Sequence, residues 1–312
     1  MKKFSFLSLF FIGLILLSSC GDDDNGTSSD DDMSTPNIVE LAQSADNLSI
    51  LVDAVIQADL AGFLSGAGPY TVFAPTNEAF QAALVELGFS SLEQVPQEEL
   101  ANILKYHVVS GKVMSSDLTD TYVPTENTEG PGETNTSLQV SVTGGVEFGG
   151  VASPVTVDLE ASNGVVHIID AVMLPKNIVG LASDNDLFST LVTALGATSV
   201  DYVGTLNGEG PFTVFAPTNT AFTALLDGAS LSDLPESKID SVLQYHVISG
   251  ANVQSGDLTA GPVTTFLGSD ITISLSNGAQ IETTTGQTVN IIVTDVQGTN
   301  GVVHAIDAVL VP

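Results

Sequence analysis

The sequence predicts an α/β protein made of two tandem domains, and three observations carry that prediction. Short phrases occur twice in the same order. Thr71-Val72-Phe73-Ala74-Pro75-Thr76-Asn77 returns as Thr213-Val214-Phe215-Ala216-Pro217-Thr218-Asn219, and Tyr106-His107-Val108 returns as Tyr245-His246-Val247. Asn163-Gly164-Val165-Val166-His167 returns as Asn300-Gly301-Val302-Val303-His304. The offsets, 142, 139 and 137 residues, drift while the order holds, as two copies differing in loop length would give. Second, a spacing of about 140 residues far exceeds the period of stacked repeats, and 312 residues suffice for two ordinary cores. Third, each copy has helical periodicity in its front half and strand alternation in its back half.

The chain opens with Lys2 and Lys3 before an apolar run over residues 4–17, too short to span a bilayer. Residues 1–19 therefore read as a signal peptide. Leu17-Ser18-Ser19-Cys20 resembles the lipobox of bacterial lipoproteins, which implies cleavage before Cys20 and lipidation of that residue. More than one acyl chain gives stable anchoring. Cys20 is the sole cysteine, so neither an internal disulfide nor a multi-cysteine metal site is possible. Residues 20–35 read as a disordered acidic tether. An EF-hand reading of this stretch fails, because Gly21 stands where the first ligand would be. An acidic run just after a lipidated cysteine also resembles the surface-export signal of lipoproteins in the Bacteroidetes group, which implies the outer face of the outer membrane.

The first copy is expected over 36–175 and the second over 176–312, with almost no linker. Leu48, Leu51, Val52, Val55 and Ile56 mark an amphipathic helix. Residues 71–74 form a short buried strand that Pro75 stops, and Thr76 or Asn77 caps the next helix, which buries Phe80, Leu84 and Leu87. Pro96 starts another helix, with Glu98 and Glu99 in its first turn and Leu100, Ile103, Leu104 and His107 on its apolar face. Ile239, Val242, Leu243 and His246 repeat that face. Ile271, Ile273 and Leu275 alternate with polar residues before a tight Asn277-Gly278 turn. Asn163-Gly164 and Asn300-Gly301 each precede a long closing strand, which in the first copy runs to Leu174. Val165, His167, Ile169, Ala171 and Met173 share one face and Val166, Ile168, Asp170, Val172 and Leu174 the other. Both faces are mainly apolar, so this strand is central or sandwiched.

In this order the segments resemble the fasciclin (FAS1) domain. Its first signature matches residues 71–80 and 213–222, including Thr71, Phe73, Pro75, Thr76 and Asn77 and their counterparts Thr213, Phe215, Pro217, Thr218 and Asn219. Its Tyr-His pair matches Tyr106-His107 and Tyr245-His246, and its closing signature matches 163–175 and 300–312, with Asn163, His167, Asp170, Asn300, His304 and Asp307. The resemblance implies a wedge-shaped β-sandwich with helices packed on it, in modules that serve mostly in extracellular adhesion or matrix binding. In animal relatives the Tyr-His segment is implicated in receptor contact, which makes Tyr106, His107, Tyr245 and His246 candidate binding residues.

No nucleophile elbow, phosphate loop or His-Glu-x-x-His sequence is present. The four histidines, two per copy, read as neutral and buried. Asp170 and Asp307 follow a histidine by three residues, which on a strand places them on the opposite face. The sequence calls for no enzyme, cofactor or metal. A net charge of −31 with no arginine among its six cations repels nucleic acid and anionic lipid, so the membrane is approached only through the lipid anchor. The expected function is weak, bivalent adhesion to matrix polysaccharide or a cell-surface protein. The alternative is carriage of an apolar ligand such as a carotenoid or lipid, with the first copy's acidic loop after Val123 at the mouth.

Overall fold

The computed structural model describes residues 35–276 and 278–312. The signal peptide, Cys20, the tether up to residue 34 and Asn277 of the expected turn lie outside the described residues. Residues Thr35–Pro312 form one compact unit.

Three short helices open the first copy: α1 (Ile38–Gln43), α2 (Ser49–Gln57) and α3 (Ala61–Leu64). There follow β1 (Tyr70–Pro75), α4 (Asn77–Glu86), α5 (Gln97–Tyr106) and β2 (Val108–Ser110). The back half holds β3 (Thr121–Pro124), β4 (Ser137–Ser141), β5 (Glu147–Phe148), β6 (Pro154–Ala161) and β7 (Gly164–Ile169). The second copy repeats the plan with α6 (Ile178–Ser183), α7 (Ser189–Leu195), α8 (Tyr202–Leu206), β8 (Phe212–Pro217), α9 (Asn219–Leu226), α10 (Glu236–Tyr245) and β9 (Val247–Ser249). It ends with β10 (Gly261–Thr264), β11 (Asp270–Ser274), β12 (Gln280–Glu282), β13 (Thr288–Gly298) and β14 (Gly301–Ile306).

In the first copy the closing strand β7 lies between β1, to which it is parallel, and β6, to which it is antiparallel, in a sheet ordered β2-β1-β7-β6. All six residues of β7 are buried, as its two-sided apolar pattern requires. On one side, Val72, Val166 and Ile168 pack with Leu48, Leu51, Phe80, Leu100 and Leu104 of the helical layer. On the other, Phe73, Ile169 and Met173 pack with Leu138 and Phe148 of a second sheet, β3-β4-β5. Each such side chain contributes roughly 1.5–3 kcal/mol on burial. The second copy has the same two cores. There β13 is long enough to pair with β12 through residues 288–290 and with β14 further on, so one seven-stranded sheet folds across both layers.

The junctions follow from local chemistry. Thr76 caps α4 by accepting the Ala79 N–H (3.2 Å), and Thr218 caps α9 through Ala221 (3.3 Å). Glycine is required at the start of β7 because the two parallel strands approach so closely there: a Cβ on Gly164 would stand 2.0 Å from the Tyr70 carbonyl oxygen, and one on Gly301 2.3 Å from that of Phe212.

Asn163 is the pin beside it. Its side-chain oxygen accepts the Ile38 N–H (3.0 Å), and its amide donates to the carbonyls of Leu64 (2.8 Å) and Gly66 (2.7 Å). One buried side chain thus joins the start of α1, the end of α3 and the hairpin between β6 and β7. Asn300 does the same with Ile178, Leu206 and Gly208.

Three expectations need correction. Ile56 is 60% exposed, because α2 turns Leu51, Ala54 and Val55 inward. Leu275 lies beyond β11 and is exposed. The closing strand stops at Ile169 instead of continuing to Leu174; beyond it the backbone N–H of Met173 is taken by the His107 ring.

Replacing Asn163 by Ala strands two buried backbone groups and a half-buried one. The expected loss is about 2–4 kcal/mol in urea-induced unfolding, with Asn300→Ala comparable; a change below about 0.5 kcal/mol would show that water or relaxation satisfies those groups.

Candidate functional site

The duplicated polar residues are the natural place to seek chemistry. The structure places each of them on the frame of the fold. Tyr106, His107, Tyr245 and His246 are all at least 97% buried, which corrects their reading as contact residues: a partner cannot reach them. The valines and isoleucine that follow, Val108, Val109, Val247 and Ile248, are buried too. Tyr106 donates to the Ser137 carbonyl (3.0 Å) and Tyr245 to that of Asp270 (2.8 Å), tying the helix ends to the second layer. Burial pushes the Tyr106 hydroxyl far above its usual range.

His107 sits at the C-cap of α5. Its Nδ1 donates to the Ile103 carbonyl (2.7 Å) and its Nε2 accepts the Met173 N–H (2.9 Å). His246 repeats this with Val242 (2.6 Å) and Leu310 (2.9 Å). Both ring nitrogens are occupied, and the arrangement demands the neutral form. Burial drops both imidazoles to about 4, outweighing the opposite pull of the carbonyl.

The strand histidines work differently. His167 accepts the Asp158 N–H at Nδ1 (3.2 Å) and donates from Nε2 to the Val113 carbonyl (2.9 Å). The Val113 N–H is held in turn by Thr71 Oγ1 (2.9 Å), which donates onward to Gly111 (2.7 Å). Thr71 and His167 thus clamp the backbone of Val113 by its N–H and its carbonyl. Thr213, Val253 and His304 form the equal clamp in the second copy. Phe73 and Phe215 stack on these rings at 5.8 and 5.7 Å. Burial also lowers the His304 imidazole.

Asp170 and Asp307 accept backbone N–H groups from Ser153 (2.7 Å) and Asn290 (2.8 Å), as hairpin braces. Asn77 accepts the Ile50 N–H (2.9 Å) and donates to the Asp46 carbonyl (3.1 Å), anchoring α2; Asn219 does so with Thr190 and Asp186. Pro75 and Pro217 are the last residues of β1 and β8.

Sequence reasoning missed Asp158 and Asp295. Both occupy left-handed positions (φ 61°) where β6 and β13 shift register against their neighbours. Asp158 accepts the Ser115 N–H (2.7 Å) and hydroxyl (2.5 Å), and lies 3.9 Å from His167 Nδ1. The Ser115 hydroxyl, then its N–H, hold the Asp158 carboxylate below its usual range. Ser255, Asp295 and His304 repeat the group. The residue types are those of a hydrolytic triad, but the bonding is not: the serine donates to the aspartate, and the histidine has no free nitrogen with which to take a proton. Among the described residues no group of three or more His, Cys, Asp or Glu side chains could hold a metal.

With two copies of this frame in place, comparison with known proteins decides the family. The Fasciclin domain model matches residues 46–175 and 186–312. The chain belongs to the fasciclin domain family. Its fold is that of two tandem FAS1 domains, mixed helix and sheet. Fasciclin-domain proteins are generally adhesion and binding proteins. The chain is 30% identical over 255 residues to the transforming growth factor-beta-induced protein ig-h3 of Sus scrofa, covering 80% of this chain and 35% of that protein. It is 40% identical over 139 residues to an uncharacterized protein of Synechocystis, covering 45% of this chain and 98% of that protein. Human periostin is 29% identical over 254 residues, with 80% of this chain and 29% of periostin covered. The chain thus spans about a third of the length of ig-h3 and of periostin. A solved FAS1 domain pair from the insect cell adhesion molecule Fasciclin I aligns with 88% of this chain and 96% of its own at a TM-score of 0.49 and 20% identity.

The two FAS1 domains are also stitched together. Ser137 of β4 donates its hydroxyl to the Asp295 carbonyl (3.2 Å) and accepts the Gln297 N–H (2.9 Å), standing in for a ladder partner on β13. Tyr122 accepts from Asn185 (2.8 Å) and packs on the helical core of the second domain. Lys176, at the boundary, binds the Gly149 carbonyl (2.6 Å) and pairs with Asp184.

The histidines set a pH dependence. His107 and His246 have folded-state values near 4, below the unfolded value near 6.5. Their contribution is complete above about pH 6.5 and is lost as pH falls toward 4, because only the unfolded chain takes up the protons. Stability to urea should fall between pH 7 and pH 4 by on the order of 3 kcal/mol per histidine. A His107→Gln/His246→Gln variant should show a flatter profile; an equally steep one would place the titration elsewhere.

Proposed function

We propose that this chain is a surface adhesion protein without catalytic activity, moored through lipid on Cys20 to the outer membrane and displayed outward, whose paired FAS1 domains bind matrix polysaccharide or a cell-surface protein weakly and bivalently. The observation that carries the reading is the bonding of the duplicated motifs. Their polar groups are consumed inside the fold, so what was duplicated is a scaffold presented twice. Two weak contacts on one tethered body gain from effective concentration. The net charge of −31 opposes nucleic acid and anionic lipid surfaces. Among the described residues no helix is long and apolar enough to cross a membrane.

Carriage of a carotenoid-sized ligand draws no support from the apolar hollows. The one beneath α1 and α2 holds about 50 Å³, its counterpart beside His246 about 30 Å³, and one between α9 and α10 about 110 Å³. Ordinary ligand pockets run to roughly 300–1,000 Å³.

A Cys20→Ala variant should move from the membrane to the soluble fraction and abolish adhesion of expressing cells to a polysaccharide-coated surface. A lipidated form ending at Pro175 should adhere about a hundredfold less than the two-domain chain. Retention of the variant in the membrane would remove the anchor from the reading; equal adhesion by one and two domains would remove bivalency.

A further inference from the structure

The first domain carries a loop that the second lacks. Between β3 and β4 the chain runs from Thr125 to Thr136, closed at its neck by the Thr125 N–H on the Thr136 carbonyl (2.9 Å). In the second domain the equivalent bond closes Thr265 onto Ser269 (3.0 Å), a far shorter turn. The long loop is ordered from within. Thr125, Asn127 and Thr136 are buried and bonded to one another, and Asn127 donates to the Asn102 carbonyl of α5 (2.9 Å). Such internal bonding belongs to a built element instead of a slack insertion.

This loop forms one side of a cleft whose other side is β13 of the second domain. The cleft measures about 670 Å³, several times the apolar hollows together. Glu133 and Asn135 line it from the loop, Thr294 and Asp295 from β13, and Tyr122 and Val293 add apolar surface. Two of these groups have no structural employment: no hydrogen bond among the described residues engages the side chains of Glu133 or Thr294, and both are exposed. Glu133 is moreover held at φ 60°, a conformation that a non-glycine residue adopts at a cost and that concentrates at functional sites.

The lining selects the ligand. Hydroxyls and amides both donate and accept, while carboxylates only accept, so the complement is a ligand rich in groups that do both. No lysine lines the cleft and the chain has no arginine, so an anionic ligand would meet carboxylates without a counter-charge. A peptide strand added to the sheet edge would need free backbone groups on β13, yet the Asp295 carbonyl and Gln297 N–H are already taken by Ser137. A cavity this size accommodates a drug-sized ligand.

We propose that the cleft between the two domains binds a neutral, hydroxyl-rich oligosaccharide segment, with Glu133 and Thr294 as contact residues from the two domains. The proposal rests on the polysaccharide branch of the adhesion reading and adds to it a site made jointly by both domains. It also gives the loop of the first domain a use that the second domain does not duplicate.

The test uses the full chain in detergent, with cellohexaose, mannohexaose and xylohexaose as neutral probes, a hexagalacturonate as the anionic one, and a panel of unstructured peptides. At least one neutral hexasaccharide should bind, with the uronate and peptides not retained. Glu133→Ala/Thr294→Ala should weaken that binding by about ten- to a hundredfold, the loss of one or two ligand hydrogen bonds. Thr294→Trp should abolish it by filling the space, with the urea midpoint unchanged in both variants. If Thr294→Trp does not fold, the alanine pair decides alone. Undiminished sugar binding by the alanine pair would overturn the site and leave polysaccharide adhesion standing. Preference for the uronate or for a peptide would overturn the ligand class. If no probe binds while cells still adhere to protein-coated surfaces, the proposal falls and adhesion survives; if cells adhere to neither coating, the functional reading falls with it.

Discussion

The structure depends on one constraint: a closing strand that lies between two others and is covered on both faces. β7 and β14 are buried along their whole length, so every polar group that enters with them must find a partner in protein. Among the described residues no buried side-chain nitrogen or oxygen is left without one. The hydrogen bonds of Asn163, His167 and His107, and of their equivalents, are the means by which this is met. Each side chain reaches backbone groups that neither helix nor ladder could satisfy: the start of α1, the end of α3, the peptide of Val113 and the N–H of Met173. Buried donors left unpaired cost more than the bonds gain on paper, so these residues recur in both domains for reasons of stability.

That accounting bears directly on chemistry. A histidine, an aspartate and a serine stand together twice in this chain, and in each case their lone pairs and protons are committed to holding a loop and a bulge. The pKa directions agree: His107, His246 and His304 are driven toward neutrality by burial, and Asp158 is kept charged by donors from Ser115. Groups so fixed have neither the proton to give nor the room for a substrate. The clearest difference between the domains is the 125–136 loop, which lies against β13 and is where we propose that recognition occurs.

Much of the frame is legible in the residues. The two-sided apolar pattern of residues 165–174 points to a sandwiched strand, Thr76 or Asn77 to a helix cap, and Asp170 on the face opposite His167 argues against an in-strand pair. The misreadings come from interactions that periodicity does not encode. Ile56 fits the helical spacing, but α2 buries Leu51, Ala54 and Val55 and leaves Ile56 outward. The run from Gly164 to Leu174 alternates well enough for one long strand, yet it leaves the sheet after Ile169, where Met173 meets His107, 66 positions earlier. Asp158 and Asp295 carry no motif at all, since their role arises from a bulge that places a left-handed residue beside a loop from elsewhere in the chain.

By itself the sequence determined the duplication, the helical front half and stranded back half of each copy, and the net charge of −31. These follow from composition and from patterns among near neighbours. Only the tertiary structure decided that the Tyr-His pairs are sealed in the core, that Ser137 joins the two domains through the edge of β13, and that a polar cleft opens where they meet. Those features bring together residues up to 160 positions apart, and no local pattern records where two packed layers will place their edges.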